Sequence, residues 1–237
     1  MATAQSRLAG RRVVITGVSR GVGFEVAKRF LAEGAEVLGV ARSRANLARA
    51  GRALRAYGRA YTSLLADVAL PTSAARVAAA VKRRWGALDL LLNNAAVNPG
   101  SAAFEADRDL EATLRVNVLG PHRMMKALLP LLRKGHYPRV VNVSSGAGDR
   151  HSIETGKDMS AYRLSKWSLN GLTRLWANEL KGQGSVVGMD PGWVKTDMGG
   201  PQAPDSPTLS AQRALEIALL PPHVTGSYLC GAREGSW

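Results

Sequence analysis

The 237-residue chain is 46% hydrophobic and 21% charged, an ordinary globular composition that excludes a disordered protein. Its length suits one large α/β domain better than two ordinary ones. The single cysteine, Cys230, excludes an intrachain disulfide and a cysteine-based metal cluster, and no apolar run approaches the ~20 residues of a membrane span. Residues 1–12 are polar and basic without the apolar core of a signal peptide, so we expect a cytoplasmic protein with no membrane partner.

The formal net charge of +14 raises nucleic acid as a possible partner. Most of the basic residues are arginines scattered along the chain, and the one dense cluster, residues 42–59, has the spacing of a solvated helix face. No zinc-ligand spacing and no alternation of basic with aromatic residues accompanies that cluster. We therefore expect no nucleic-acid partner, although part of the charge can serve an anionic cofactor.

Strand-sized apolar runs alternate with helical stretches along the chain. The predicted strands are residues 12–16, 36–41, 60–65, 88–93, 139–144, 186–189 and 227–229. The predicted helices are residues 21–33, 43–57, 72–85, 107–132, 160–181 and 210–219. This alternation predicts a single α/β domain over residues 1–237, a Rossmann-type doubly wound parallel sheet of about seven strands with helices on both faces. Residues 197–207, rich in proline and glycine, are predicted to form a substrate lid.

A glycine-rich turn, residues 16–23, connects the first strand to the first helix and reads Thr-Gly-Val-Ser-Arg-Gly-Val-Gly. Such a unit directs backbone N–H groups and the positive helix end to one point, where a pyrophosphate can bind. Glycine avoids the Cβ that would block the turn and the phosphate oxygens. A tight turn can need glycine for steric reasons alone, but this position in the fold favours phosphate binding.

Tyr162 and Lys166 are four residues apart on a predicted helix and therefore share a face. An ammonium near a phenol favours the phenolate, so we expect a lowered pKa for Tyr162 and proton exchange with a carbonyl or alcohol oxygen. Such a pair alone is more often structural. Ser145, however, follows a buried strand at the sheet edge where α/β proteins bind ligands, and it can hydrogen-bond a substrate oxygen; Ser144 is the alternative.

Several motifs, in order, resemble the short-chain dehydrogenase/reductase family. They are the glycine turn, Asn93-Asn94-Ala95-Ala96, Ser145-Gly146-Ala147-Gly148, Tyr162 with Lys166, and the run from Pro191 and Gly192 to Thr196. The resemblance spans nearly the whole chain and is closest to the small carbonyl reductase and sniffer-like branch, through residues 191–200 and Trp237. Ala96 replaces a family glycine. The stretch between Ser145 and Tyr162 is longer than usual, and its extra residues, 150–158, would rim the substrate pocket.

The resemblance implies catalytic roles for Ser145, Tyr162, Lys166 and Asn117. Asn117 would hold a water linked to Lys166, although a satisfied mid-helix asparagine is the alternative. Asn93 and residues 191–196 would hold the nicotinamide, and the two long helices would pair subunits in a homodimer or homotetramer. The implied cofactor-binding residues are Gly17, Ser19, Arg20, Gly21, Val22, Gly23, Arg42, Asp67, Val68, Asn94, Ala95, Tyr162, Lys166, Pro191, Gly192, Val194 and Thr196.

The end of the second strand favours NADP(H) over NAD(H). An NAD site of this type usually carries an acid there, but this chain has Arg42. Arg42 and Arg20 would both meet a 2′-phosphate, which arginine binds by charge and paired hydrogen bonds. Arg42 could instead belong to the solvated helix face. Asp67 resembles the family's adenine-contacting acid, and it could equally cap the next helix.

The sequence thus predicts an NADP(H)-dependent oxidoreductase, a ketone or aldehyde reductase that transfers hydride between the nicotinamide and a carbonyl or alcohol. Val97, Trp193 and Met198 hint at a hydrophobic carbonyl substrate. The alternative is a non-catalytic NADP(H)-binding redox sensor or scaffold, which would not need Ser145, Tyr162 and Lys166 together. A related dehalogenase would usually have arginine in place of Lys166 and no glycine turn.

Overall fold

A computed structural model describes residues 6–100 and 106–235 of the chain, so Trp237 lies outside the described residues. The strands are β1 (Arg12–Thr16), β2 (Glu36–Ala41), β3 (Tyr61–Leu65), β4 (Leu90–Asn93), β5 (Arg139–Val143), β6 (Ser185–Met189), β7 (Tyr228–Cys230) and β8 (Arg233–Glu234). The helices are α1 (Gly21–Ala32), α2 (Arg44–Ala53), α3 (Pro71–Arg84), α4 (Asp107–Leu114), α5 (Gly120–Leu132), α6 (Arg150–Thr155), α7 (Ser160–Glu179) and α8 (Pro207–Leu219). No helix in these ranges is long and apolar enough to cross a membrane.

The strands form one sheet in the order β3-β2-β1-β4-β5-β6-β7-β8, with β1 to β7 parallel and β8 antiparallel. Alternation along β1 sends Val13 and Ile15 to the face covered by α1 and α8, and Val14 to the face covered by α3 and α5. Each such side chain stabilises the fold by roughly 1.5–3 kcal/mol when fully buried. Burial on both faces explains why these strands are continuous apolar runs, and the predicted fold class is confirmed.

The predicted helix 107–132 is interrupted, which corrects the expectation of one continuous helix. Arg115–Leu119 form a π-helical turn between α4 and α5, in which the Gly120 N–H donates to the Arg115 carbonyl. Pro121 has no N–H, so the α-helical hydrogen bond to the Asn117 carbonyl cannot form. The helix therefore widens at that point into a π-turn. Such turns inside α-helices are frequently found at functional sites.

Three further elements differ from the prediction. The helix predicted over 43–57 ends at Ala53 and is followed by a 3-10 segment, Arg55–Ala60, in which Gly58 adopts a positive φ of 55°. The short helix α6 and the two-residue strand β8 were not predicted, because neither is long enough to show an apolar period.

The strand order reverses between β1 and β4, and this switch point is where doubly wound sheets bind ligands.

At the opposite end of the sheet, Asp89 is 2% exposed and binds the Arg12 guanidinium through two hydrogen bonds of 2.7 and 2.8 Å. It also accepts the backbone N–H groups of Arg12 and His136, at 2.8 and 2.9 Å. Burial raises the pKa of Asp89, but the hydrogen bonds from Arg12 and His136 outweigh burial and hold the pKa below its usual value.

We expect Asp89→Asn to lower the free energy of unfolding by about 2 kcal/mol, because it leaves the partly buried Arg12 guanidinium, 25% exposed, without its counter-charge. A depressed carboxyl pKa stabilises the fold above the unfolded pKa, so the deficit should shrink as pH falls below about 4. Urea titrations at several pH values measure this deficit. Glu179→Gln, which removes an exposed ion pair with Arg133, should cost less than about 1 kcal/mol. Equal losses in the two variants would contradict this account.

Candidate active site

A cleft of about 890 Å³ runs along the carboxyl ends of the strands, between the glycine turn and the loops that follow β2 to β6. Its size is typical of small-molecule and cofactor sites. The predicted site residues that line it are Gly17, Ser19, Arg20, Gly21, Val22, Arg42, Asp67, Val68, Asn94, Ala95, Ser145, Tyr162, Lys166, Pro191, Gly192, Val194 and Thr196. Gly23 and Asn117 were predicted as site residues but do not line the cleft.

Hydrogen bonds hold the glycine turn against the loop that follows β4. The Asn94 amide donates to the Thr16 carbonyl at 2.9 Å, and a Cβ on Gly17 would lie 2.7 Å from that amide nitrogen. A Cβ on Gly23 would also overlap the amide. Glycine at these two positions therefore admits Asn94, a neighbour that the sequence did not indicate. Gly17 and Gly21 adopt positive φ values of 73° and 58°, as the predicted tight turn requires, and the approach of phosphate oxygens stays a prediction. The N-terminus of α1 has no side-chain cap, so its first N–H groups are available to an anion in the cleft.

Arg20 and Arg42 both line the cleft but have different surroundings. The Arg20 guanidinium forms an ion pair of 2.5 Å with Asp197, and both side chains are more than half exposed. Its contact with a phosphate stays a prediction. Arg42 is exposed and has no ion pair among the described residues. The Asp67 carboxylate accepts the Ala69 N–H at 3.0 Å and so fixes its own turn; α3 has no side-chain cap.

The two candidate serines at the end of β5 have different environments. The Ser144 hydroxyl is buried and donates to the Asn170 side chain at 2.6 Å, so it is engaged in the core. Asn170 in turn donates to the Gly148 carbonyl and ties the turn after β5 to α7. Ser145 lies in the cleft wall with Tyr162, and its Oγ accepts the Ala147 N–H at 3.1 Å. The geometry therefore favours Ser145 for contact with a substrate.

Tyr162 and Lys166 project from the first turns of α7 into the same cleft wall. The Lys166 Nζ lies 5.4 Å from the centre of the Tyr162 ring and donates to the Val143 carbonyl at 2.8 Å. Burial raises the pKa of Tyr162 to about 12, and a hydrogen bond with Ser145 opposes the rise. This reverses the expected direction, because desolvation by the surrounding protein is the largest effect on the phenol.

Lys166 is 2% exposed, and burial lowers its pKa to about 7 although the Asp190 carboxylate opposes this change. Burial therefore disfavours the charged form of the Lys166 amine. The phenol of Tyr162 remains protonated throughout the neutral range. A protonated phenol beside a hydroxyl can act as a general acid toward a carbonyl oxygen.

Asn93, expected to hold the nicotinamide, and Asn117, expected to hold a water linked to Lys166, both have side chains engaged in the supporting structure. The water at Asn117 stays a prediction. The Asn117 amide exchanges two hydrogen bonds of 2.9 Å with the backbone of Val97 and donates to the Ser165 hydroxyl at 2.9 Å. Its side chain thus holds the loop after β4 against α7. The Asn93 amide points into the core and donates to Asn142 at 2.9 Å; Asn94, the next residue, lines the cleft instead.

Sequence reasoning missed several residues of the cleft. Met159 lines it with a left-handed backbone (φ 50°), and its sulfur contacts the Asn98 amide at 3.3 Å. Asp190 also lines it, and its carboxylate accepts the Gly192 N–H at 2.9 Å. A left-handed methionine has no sequence signal. Asp190 directly precedes Pro191-Gly192, a position that could have drawn attention to it.

Residues 11–207 match the family model described as short chain dehydrogenase. The chain belongs to the short-chain dehydrogenase family. Carbonyl reductase 1 of Sus scrofa, whose name specifies NADPH, is 28% identical over 267 residues, covering 92% of this chain and 90% of the relative.

Solved structures agree with the assignment. Carbonyl reductase Sniffer of D. melanogaster superposes with a TM-score of 0.87 at 27% identity, over 97% of this chain and 100% of that one. A short-chain dehydrogenase from Burkholderia cenocepacia J2315, solved in complex with NADP, has a TM-score of 0.84 at 28% identity, over 94% and 97% of the two chains. The predicted family is thus confirmed, and carbonyl reductases are among the relatives, as the predicted resemblance implied. This short-chain dehydrogenase is accordingly an oxidoreductase.

Proposed function

We propose that this short-chain dehydrogenase transfers hydride between NADP(H) and a carbonyl or alcohol, and that it works as a ketone or aldehyde reductase. The observation that carries the proposal is the convergence of Ser145, Tyr162 and Lys166 on the same cleft as the open N-terminus of α1. The NADPH-dependent carbonyl reductase among the relatives and the NADP complex of the solved neighbour support the choice of cofactor.

The described residues fit a dinucleotide along the whole cleft. Arg42 and Asp67 line the end where the adenosine would lie, and the uncapped N–H groups of α1 lie midway, where a pyrophosphate needs donors. Asn94, Lys166 and the segment from Pro191 to Thr196 line the other end and would hold the nicotinamide half. When bound, the reduced nicotinamide supplies the hydride for carbonyl reduction.

The chain's own residues position the substrate and supply the proton. Ser145 and Tyr162 donate hydrogen bonds to the carbonyl oxygen and so stabilise the negative charge that develops on it. The phenol proton of Tyr162 passes to that oxygen as hydride reaches the carbon, which gives the alcohol and leaves a phenolate for solvent to reprotonate. Lys166 lies close enough to stabilise the phenolate when it is itself protonated.

The rim of the cleft supports an apolar substrate. Trp193 and Met198 are 58% and 46% exposed, and Val97 also lines the cleft. Large apolar side chains exposed beside a polar catalytic wall are typical of a site that binds a hydrophobic compound. The proposal also includes a cytoplasmic location and a homodimer or homotetramer formed through α5 and α7, where Leu175 is 68% exposed.

Arg42→Ala tests the cofactor assignment. We expect the dissociation constant for NADPH to rise about tenfold and that for NADH to change less than twofold, because only NADPH carries the 2′-phosphate. Quenching of tryptophan fluorescence during titration measures both constants. Arg49→Ala removes another exposed arginine that does not line the cleft, and it should leave both constants unchanged. Equal losses for the two cofactors in Arg42→Ala would contradict the role of Arg42.

A further inference from the structure

The carbonyl of Pro191 receives two side-chain hydrogen bonds from α8. The Arg213 guanidinium donates to it at 2.8 Å, and the fully buried Ser210 hydroxyl donates at 2.8 Å. Pro191 begins the segment that lines one end of the cleft, whereas Arg213 and Ser210 do not line the cleft themselves. Helix α8 therefore holds the segment that begins at Pro191 in place from outside the cleft.

Asp205 joins the same contact and closes the base of the loop that follows. Its carboxylate accepts from the Arg213 Nη1 at 2.7 Å. Its backbone N–H donates to the Trp193 carbonyl at 3.0 Å, and its carbonyl accepts the Lys195 N–H at 2.8 Å. The predicted lid, residues 197–207, is thus anchored at this end, and any closure would be confined to the residues before Asp205.

Gly192 shows how closely these groups pack. It adopts a φ of +87°, and a Cβ there would overlap both the Asp205 carboxylate and the Arg213 guanidinium. The backbone must pass directly over the ion pair, which only glycine allows. The Gly192 N–H is also held, by Asp190, so residues 190–192 are fixed from both sides.

The ion pair is largely shielded, since the side chains of Arg213 and Asp205 are 21% and 22% exposed. Burial lowers the pKa of Arg213, but the hydrogen bond that Arg213 donates to Asp205 and other nearby charges outweigh burial, so the guanidinium stays charged. A shielded, charged donor on a carbonyl is stronger than a neutral one. Loss of Arg213 would leave Asp205 without its counter-charge directly beneath Gly192.

We propose that Arg213, supported by Asp205 and Ser210, is a positioning residue for the nicotinamide half of the cofactor. It acts through Pro191 and Gly192, and the inference rests on the proposed function. It assigns to α8 a role in cofactor geometry that none of the motifs in the sequence indicates. We call Arg213, Asp205 and Ser210 the clamp. In the described part of the chain, Arg42 at the adenosine end of the cleft forms no hydrogen bond or ion pair with the clamp.

Two probes separate positioning from a general structural role. NADPH fills the whole cleft, whereas 2′-phospho-ADP-ribose lacks the nicotinamide and tests the adenosine end alone. For Arg213→Met we expect the dissociation constant for NADPH to rise about tenfold, as for the loss of one charge-assisted hydrogen bond, while that for 2′-phospho-ADP-ribose stays within about twofold. Arg213→Lys, which keeps the charge and can reach the Pro191 carbonyl, should recover part of the loss. Arg133→Met, which removes an exposed ion pair with Glu179, should change neither constant.

Equal weakening of both probes, or no change for NADPH, would overturn the inference. If Arg213→Met does not fold, Asp205→Asn is measured with the same two probes, because it keeps the side-chain shape and the backbone contacts. It should show the same selectivity for NADPH. A wild-type protein that binds neither probe would contradict the proposed cofactor itself, which distinguishes that failure from a failure of the clamp.

Discussion

Tyr162→Phe is expected to lower the turnover number about a thousandfold, the size of effect that a positioned general acid provides. The dissociation constant for NADPH should change less than twofold, because the ring that lines the cleft is retained and only the hydroxyl is lost. Steady-state oxidation of NADPH with a reactive aldehyde gives the turnover number, and fluorescence titration gives the dissociation constant.

Tyr61→Phe is a matched control. The Tyr61 hydroxyl is also buried, has no hydrogen-bond partner among the described residues, and lies on β3 outside the cleft. Burial raises the pKa of Tyr61 to about 12, as it does for Tyr162. The control should keep full turnover, which would show that the location of Tyr162 matters rather than the loss of a buried phenol. Turnover above a tenth of wild type in Tyr162→Phe would exclude it as the proton donor.

Lys166→Met is expected to lower turnover about a hundredfold while it raises the free energy of unfolding by about 1 kcal/mol. The amine is 2% exposed with one hydrogen bond, to the Val143 carbonyl. Methionine fills similar space without the cost of burying an amine, and the lost hydrogen bond offsets only part of this gain. Thermal or urea unfolding measures stability, with Lys126→Met as the exposed control.

The stability gain should depend on pH in a defined direction. Burial lowers the pKa of Lys166 to about 7, whereas an unfolded lysine has a pKa near 10.4. Between these values the unfolded state holds one more proton, so the wild-type protein becomes more stable as pH rises. The advantage of Lys166→Met should therefore be largest below about pH 7 and shrink toward pH 10. A destabilised variant, or an advantage that grows with pH, would contradict this account of the buried amine.

The elements that sequence could predict are those with local patterns. The strands β1, β2, β4, β5 and β6 are almost fully buried and read as short apolar runs. The turn at residues 16–23 is marked by its glycines and its place after β1. The interruption between α4 and α5 was also readable in principle. Pro121 stands four residues after Asn117 and removes the donor that a regular helix needs there.

The features that sequence did not predict depend on contacts between distant residues. Arg213 meets the Pro191 carbonyl across 22 positions, and Arg20 meets Asp197 across 177. The pKa of Tyr162 was expected to fall because Lys166 is near in sequence, but the surrounding protein decides its direction. Likewise, the motif does not distinguish Asn93 from Asn94. At the end of β4 their side chains point in opposite directions, so that Asn93 lies in the core and Asn94 lines the cleft.

A non-catalytic NADP(H)-binding sensor is the main alternative to the reductase. A sensor needs the open α1 terminus and Arg42, but it has no use for a phenol, a hydroxyl and an amine in one wall of the cleft. In a sensor, Tyr162→Phe and Lys166→Met would change only binding and stability. The sensor and the reductase therefore predict different turnover numbers for these variants but the same affinity for the cofactor.

The most direct test is the oxidation of NADPH by the wild-type protein with a panel of hydrophobic aldehydes, ketones, quinones and diketones, with NADH in parallel and Tyr162→Phe beside it. We expect turnover of at least one carbonyl compound, with a rate for NADPH well above that for NADH, and loss of this turnover in Tyr162→Phe. NADPH binding without turnover of any compound in the panel would contradict the reductase and favour the sensor.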